Sequence, residues 1–254
     1  MIKVAHLSKT FRHGLIKEKV IKAVDDVSFS IEGGQTLGLV GMSGCGKSTL
    51  SRMILKLISS DTGSITFKNI NITDYSFKQM KPLRRDMQIL FQHPDSSLNP
   101  RMIIGKSMLE PFKLNPDLNR SKASEAIEEQ LLFVGLNPEV LSRYPHQISG
   151  GQIQRICLAR LLLLKPSFIV LDEPTSMLDV SVQAQVMAVL KKAQHRDNIA
   201  YLLISHDLDL VRACSHEIAV MVDGKIIEKQ KTDALYEHPK EQYTKNLLKA
   251  FSDF

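Results

Sequence analysis

The run Gly41-Met42-Ser43-Gly44-Cys45-Gly46-Lys47-Ser48-Thr49 constrains this chain more than any other stretch of it. It fits the pattern G-x-x-x-x-G-K-[ST], and its surroundings are those the pattern needs. Thr36 to Val40 reads as a buried strand, and Ser48 to Ile58 carries helical periodicity. Between them, the glycines let successive backbone N–H groups converge as an anion nest. The helix that follows adds the positive end of its dipole. Lys47 is spaced to reach β- and γ-phosphates, and Ser48 to ligate Mg²⁺. Gly41, Ser43, Gly44, Cys45, Gly46, Lys47, Ser48 and Thr49 are therefore candidate nucleotide contacts.

A second feature complements this loop. Phe168-Ile169-Val170-Leu171 is an unbroken apolar run, as in a parallel strand covered on both faces, and it ends in Asp172-Glu173. Acids at a strand end are often only loop-facing caps. Beside a phosphate loop, Asp172 becomes a candidate to hold Mg²⁺ and Glu173 to polarise an attacking water. Upstream, Ile148-Ser149-Gly150-Gly151-Gln152 opens a helix. A serine cap with two glycines leaves free N–H groups at that helix end, which is either an ordinary cap or a second anion site.

The rest of the chain reads as α/β. Val27 to Ile31 alternates like a half-buried strand, and Ser64–Phe67, Met87–Phe91, Ala200–Ile204 and Ile218–Val222 are further strands. Gly224 turns the last of these into Lys225–Glu228. Gln152–Leu164 and Val182–Ala193 are helices. From His93 to Pro145 the prolines multiply and Ser121–Val134 is strongly periodic, which indicates a helical insertion. The tail from Thr232 reads as helical and polar. At 254 residues the chain makes one large domain or two small lobes.

Three cysteines without paired or C-x-x-C spacing favour neither a disulfide framework nor a zinc site. The opening MIKVAHLSKTF has no apolar signal core, and no run reaches the roughly 18 apolar residues that span a bilayer. Any role at a membrane would need other chains. The net charge of +6 fits a solvated basic surface, or an anionic partner such as a membrane face or a nucleotide. With no basic run of five residues, nucleic acid is not favoured.

Taken in order, the phosphate loop, Gln92 near a strand end, Ser149-Gly150-Gly151-Gln152, the acidic strand end, Ser176-Met177-Leu178-Asp179 and His206 after a strand resemble the nucleotide-binding subunits of ABC transporters. The resemblance spans essentially residues 1 to 230. It implies an α/β fold: a P-loop NTPase core with a mainly parallel sheet, an antiparallel β region from the N-terminal strands, and a helical insertion lobe. The implied division is 1–92 with 156–230 as the catalytic lobe, 93–155 as the helical lobe, and 231–254 as a short tail. ATP and Mg²⁺ are the implied cofactors. Glu173, His206, Gln92 and Lys47 are the implied catalytic residues, and Ser48, Gln92 and Asp172 the implied metal-holding ones. Phe11 resembles the aromatic that stacks on adenine, although a core phenylalanine reads the same way. Ser149, Gly150, Gly151 and Gln152 resemble the element that caps ATP held by an opposite subunit. Asp179 resembles the loop that crosses between the subunits. Ile148 stands where leucine is more usual, a conservative departure.

Linking segments sharpen the resemblance. Lys22-Ala23-Val24-Asp25-Asp26-Val27-Ser28-Phe29, Ser97-Leu98-Asn99-Pro100, Tyr144-Pro145-His146-Gln147 and Asp179-Val180-Ser181-Val182-Gln183-Ala184-Gln185 resemble the peptide and nickel importer branch. Gln152-Ile153-Gln154-Arg155 resembles the second of the two ATPases such importers pair. Glu237-His238-Pro239 onward resembles the start of that branch's C-terminal extension, without its cysteines. The resemblance implies an ATPase subunit at the cytoplasmic membrane face, with two transmembrane permeases, a second and different ATPase, and an extracellular solute-binding protein. Peptides, nickel and metal–chelator complexes are all open as cargo. An ABC exporter is the alternative. An ABC ATPase acting on nucleic acid or ribosomes is a further one, but such proteins usually add tandem domains or a coiled coil.

Overall fold

The structure, a computed structural model, describes residues 1–13, 19–92, 97–115, 118–176 and 178–252. Its strands are β1 (Ile2–His13), β2 (Lys19–Ile31), β3 (Thr36–Val40), β4 (Thr62–Phe67), β5 (Ile70–Asn71), β6 (Met87–Leu90), β7 (Phe168–Asp172), β8 (Ala200–Ile204), β9 (Glu217–Val222) and β10 (Lys225–Lys231). Its helices are α1 (Lys47–Ile54), α2 (Phe77–Met80), α3 (Ile104–Met108), α4 (Glu110–Leu114), α5 (Ala123–Phe133), α6 (Gly150–Leu162), α7 (Val180–Asp197), α8 (Leu208–Cys214), α9 (Thr232–Glu237) and α10 (Gln242–Ser252).

Two sheets organise these elements. One has six strands in the order β10-β9-β3-β8-β7-β6, all parallel except β10. The other has four antiparallel strands in the order β2-β1-β4-β5. The apolar runs of β3, β7, β8 and β9 are buried because both faces of the larger sheet are covered. Alternate residues divide between two cores, as the twofold period of a strand requires. Leu37, Leu39, Phe168, Val170, Leu202 and Met221 face the antiparallel sheet and α1. Ile169, Leu171, Leu203, Ile218 and Val220 face the helices. Ile104, Met108, Ile127 and Leu131 of the insertion belong to that second core, so the insertion packs continuously with the sheet. The expected insertion begins at His93, and residues 93–96 and 116–117 lie outside the described residues.

Several elements depart from the sequence expectation, among them β2, which starts at Lys19 and not at Val27, and α7, which extends the expected Val182–Ala193 at both ends. β1 runs the full length of the N-terminal segment, but bulges near His6 and Asp26, both at positive φ, shift its register and break the alternation that would announce it. The helix after the phosphate loop stops at Ile54, four residues short of the expected Ile58, once Leu50, Met53 and Ile54 have filled its buried stripe. The tail is less polar than its composition suggests, since Tyr243, Leu247 and Leu248 pack on the helix-side core.

One buried carboxylate fastens that tail. Glu228 on β10 accepts from the backbone N–H of Lys240 at 2.8 Å and of Glu241 at 3.1 Å, just ahead of α10, and from Gln230 Nε2 at 2.6 Å. Burial alone would raise this carboxyl, but the hydrogen bonds outweigh it and hold it below the usual glutamate value. Because the folded value is depressed, the stabilisation is full above the ordinary glutamate range and is lost as pH falls through the folded value. Glu228→Gln should lower stability at neutral pH by about 1–3 kcal/mol. It should also flatten the acid limb of the stability–pH curve, as measured by urea unfolding between neutral and acidic pH.

Candidate active site

Parallel pairing builds the site. Leu39 of β3 lies beside Ile204 of β8, Ile204 beside Asp172 of β7, and Leu171 beside Leu90 of β6. The carboxyl ends of four strands therefore share one edge. Gly41, His206, Asp172–Glu173 and Gln92 follow from those ends, although they are far apart in the chain. Ligand sites of open parallel sheets lie at this edge.

The phosphate loop is held from two sides. Gly46, at φ 111°, turns the chain into α1, and a Cβ there would sit 2.1 Å from the Ala23 carbonyl oxygen of β2. From the β9–β10 turn, Gly224 N–H donates to Cys45 O at 2.9 Å. Met42, Ser43, Gly44 and Ser48 stay exposed, while Cys45 and Lys47 are buried. Lys47 Nζ donates to Gly41 O at 2.7 Å and Met42 O at 2.9 Å, and Cys45 Sγ lies 3.6 Å away. Its ammonium is thus folded back under the loop. Thr49 is part-buried on the first turn of α1.

Opposite the loop, Glu173 is the centre of a polar triangle. Gln92 Nε2 donates to its Oε2 at 2.6 Å, and His206 Nδ1 lies 3.4 Å from its Oε1. The Glu173 side chain is 22% exposed and that of His206 65%, so one carboxylate is sheltered while its imidazole partner meets solvent. Asp172 is more deeply set. Burial, then the charge of Glu173, pushes its carboxyl above the usual aspartate value, with Arg52 and Lys47 opposing. Arg52 went unnoticed in the sequence because its position on α1 carries no pattern of its own.

The structure gathers Lys47, Asp172, Glu173, Gln92 and His206, but Ser149, Gly150 and Gly151 form a separate outward surface. Ser149 Oγ accepts from Gln152 N–H at 3.4 Å, and Gln152 Oε1 accepts from Ser149 N–H at 3.1 Å. The Gln152 side chain, expected to touch nucleotide, is thus engaged in capping its own helix. A Cβ on Gly150 would meet open space, whereas one on Gly151 would lie 2.6 Å from Val182 Cγ1 of α7. Gly151 therefore lets the starts of α6 and α7 touch. Asp179 caps α7, accepting from Ser181 Oγ at 2.7 Å and Val182 N–H at 3.0 Å, bonds that hold its carboxyl below the usual range. Beside it Val180 is 82% exposed. Met177, between Ser176 and Leu178, lies outside the described residues. Phe11 is part-buried on β1, paired with Ile21, two strand positions from the Ala23 carbonyl that abuts Gly46.

The chain also resembles known proteins. The sequence model described as ABC transporter matches residues 24–176. The putative oligopeptide transport ATP-binding protein YkfD of Bacillus subtilis is 45% identical, over 98% of this chain and 75% of that protein. The oligopeptide transport ATP-binding protein OppF of Haemophilus influenzae is 42% identical, over 98% of this chain and 77% of that protein. Among solved structures, the dimeric MJ0796, a bacterial ABC transporter cassette, superposes with a TM-score of 0.81 at 29% identity, covering 91% of this chain and 99% of that one.

Lys47→Ala should weaken ATP binding by about 10- to 150-fold, the equivalent of one charge-assisted hydrogen bond of about 1.5–3 kcal/mol. Titration calorimetry with ATP checks this. Wild-type affinity in that variant would mean the loop is not a phosphate site.

Proposed function

We propose that this chain, which belongs to the ABC transporter family, hydrolyses ATP to power the import of peptides through membrane permeases. The observation that carries the mechanism is the Gln92–Glu173–His206 triangle facing the phosphate loop. In this reading the N–H groups of Gly44 to Thr49 and Lys47 bind the phosphates, and Lys47 swings from the Gly41 and Met42 carbonyls to do so. Phe11 offers its ring to adenine. Glu173 accepts a hydrogen bond from the attacking water and aligns it on the γ-phosphorus. The P–O bond to ADP breaks as the new one forms. His206, exposed at the rim, donates to the γ-phosphate oxygens as charge builds on them.

Mg²⁺ fits the donors present. Asp172 and Glu173 are adjacent carboxyls, and Asp172 is already pushed up by burial and by its neighbour's charge. Ser48 adds an exposed hydroxyl, and Gln92, whose NH₂ is on Glu173, has its amide oxygen to offer. These are hard oxygen ligands, and Mg²⁺ needs only one or two carboxylates beside the phosphates. When bound, the ion neutralises charge on the transferring phosphoryl group.

Ser149, Gly150, Asp179 and Val180, with part-buried Gly151 beside them, make a face suited to a second ATPase subunit, whose bound ATP the α6 end would cap. Near Gln92 an open groove of about 900 Å³ runs between the sheet and the helices, lined by Phe77, Arg84, Phe91, Glu110, Arg160 and Leu164. It suits a cytoplasmic permease segment, and Phe91 joins it directly to Gln92. No helix among the described residues is long and apolar enough to cross a membrane. In this reading the chain sits peripherally at the cytoplasmic face, beside the permeases. The cargo assignment draws on relatives such as the oligopeptide proteins above and a glutathione import ATP-binding protein of Pectobacterium atrosepticum, 42% identical over 98% of this chain and 41% of that protein. The Gln152-to-Arg155 segment favours a second ATPase that differs from this chain.

Glu173→Gln should bind ATP normally but hydrolyse it at least ~10²-fold more slowly, the loss expected of a positioned base. Steady-state phosphate release and equilibrium nucleotide binding separate the two effects, and wild-type turnover would remove Glu173 from this role. Co-purification from the native host with solubilised permeases should recover a second, distinct ATPase in equal amount. Two copies of this chain per permease pair would exclude the mixed pair.

A further inference from the structure

Glu173 holds a backbone conformation that its sequence disfavours. Its φ is 49°, in the left-handed region, and it precedes Pro174, which biases its neighbour toward extended backbone. Such a residue is strained and persists only where its surroundings over-determine it.

Here the restraint is visible. Glu173 N–H donates to Ile204 O of β8 at 2.9 Å. Immediately after it, Gln154 Nε2 of α6 donates to Pro174 O. Gln183 Nε2 of α7 donates to Thr175 O at 3.0 Å and Leu178 O at 3.3 Å. Gln154 is buried to 2% exposure, where a polar side chain is costly unless its hydrogen bonds are made. Its amide spans from one helix to a loop carbonyl 20 residues away in the chain.

Resting on the reading of Glu173 as the group that aligns water, we propose that Gln154 and Gln183 are positioning residues. Together they hold the carbonyls of Pro174, Thr175 and Leu178 and so fix where the Glu173 carboxylate stands. Gln154 does so from α6, the same helix whose start exposes its cap Ser149 and its first residue Gly150. A shift of that helix end is passed to the Pro174 carbonyl within two turns of rigid helix. Gly151 against Val182 gives α7, and with it Gln183, a second mechanical link to the same end. The surface facing a partner's nucleotide is thereby tied to this chain's own Glu173.

The test compares Gln154→Met, Gln183→Leu and the double variant by steady-state ATPase, ATP affinity and thermal unfolding. Methionine keeps the volume of Gln154 and removes its donor. Gln194→Met is the control: Gln194 is also buried, but bonds Thr36 Oγ1 at 2.9 Å and Ile199 O at 3.2 Å, away from Glu173. We expect kcat to fall about tenfold in each single variant, the scale of a catalytic group slightly displaced. ATP affinity should stay within twofold and unfolding should resemble the control. The double variant should lose less than the product of the singles, because both amides act on one segment. Single variants with kcat within twofold of wild type, while Glu173→Gln is inactive, would overturn the proposal. So would equal losses of kcat and affinity that follow the unfolding midpoint, which a merely structural role produces. If Gln154→Met does not fold, Gln183→Leu decides by the same thresholds. Turnover retained in Glu173→Gln would instead overturn the role of Glu173, whatever the glutamines do.

Discussion

Parallel register is the constraint on which the site depends. Once β3, β8, β7 and β6 pair side by side in one direction, the residues that follow each strand must emerge at the same edge. Lys47, His206, Glu173 and Gln92 are brought together by that geometry, with no local contact in the sequence to announce it. The pairing is in turn fixed by burial on both faces. Shifting β7 by one residue would exchange Phe168 and Val170 with Ile169 and Leu171 between two differently shaped cores.

Charge at this edge is arranged with little slack. Asp172 and Glu173 are consecutive, and the charge of Glu173, added to burial, makes ionisation of Asp172 harder. Lys47 and Arg52 offset part of this for Asp172. Gln92 and His206 attend to Glu173. The arrangement favours added positive charge between strand end and loop, which accords with a magnesium nucleotide rather than a bare one.

The sequence disclosed the parts whose chemistry is local. The phosphate loop, the apolar run into Asp172-Glu173 and the Ser149 cap are each legible because loop, strand and helix follow within a few residues. β3 and β8 were legible to their ends for the same reason, as short apolar runs between clear turns. β1 was harder, since its bulges at His6 and Asp26 scramble the two-residue period. α8 has little signature in the sequence because it is short and begins with an unremarkable Asp207 cap. What could not be read at all were partnerships between distant residues. Gln92 and Glu173 are 81 positions apart, and nothing in either neighbourhood names the other. Gln152 shows the opposite case: its resemblance pointed to nucleotide, while the local S-x-x-Q spacing already contained the cap it makes.

The phosphate loop, wedged beneath Ala23 and bonded to Gly224, meets its ligand already shaped. A mobile glycine loop would have to give up backbone entropy, about 1–2 kcal/mol per residue, each time a nucleotide arrived. Here folding has met that cost in advance. Affinity then reports the contacts less the cost of drawing Lys47 from the Gly41 and Met42 carbonyls, and a phosphate group lost on hydrolysis takes its contacts with it. A loop held this firmly therefore discriminates between nucleotide before and after reaction without needing to move, leaving motion to the parts of the molecule that do transport work.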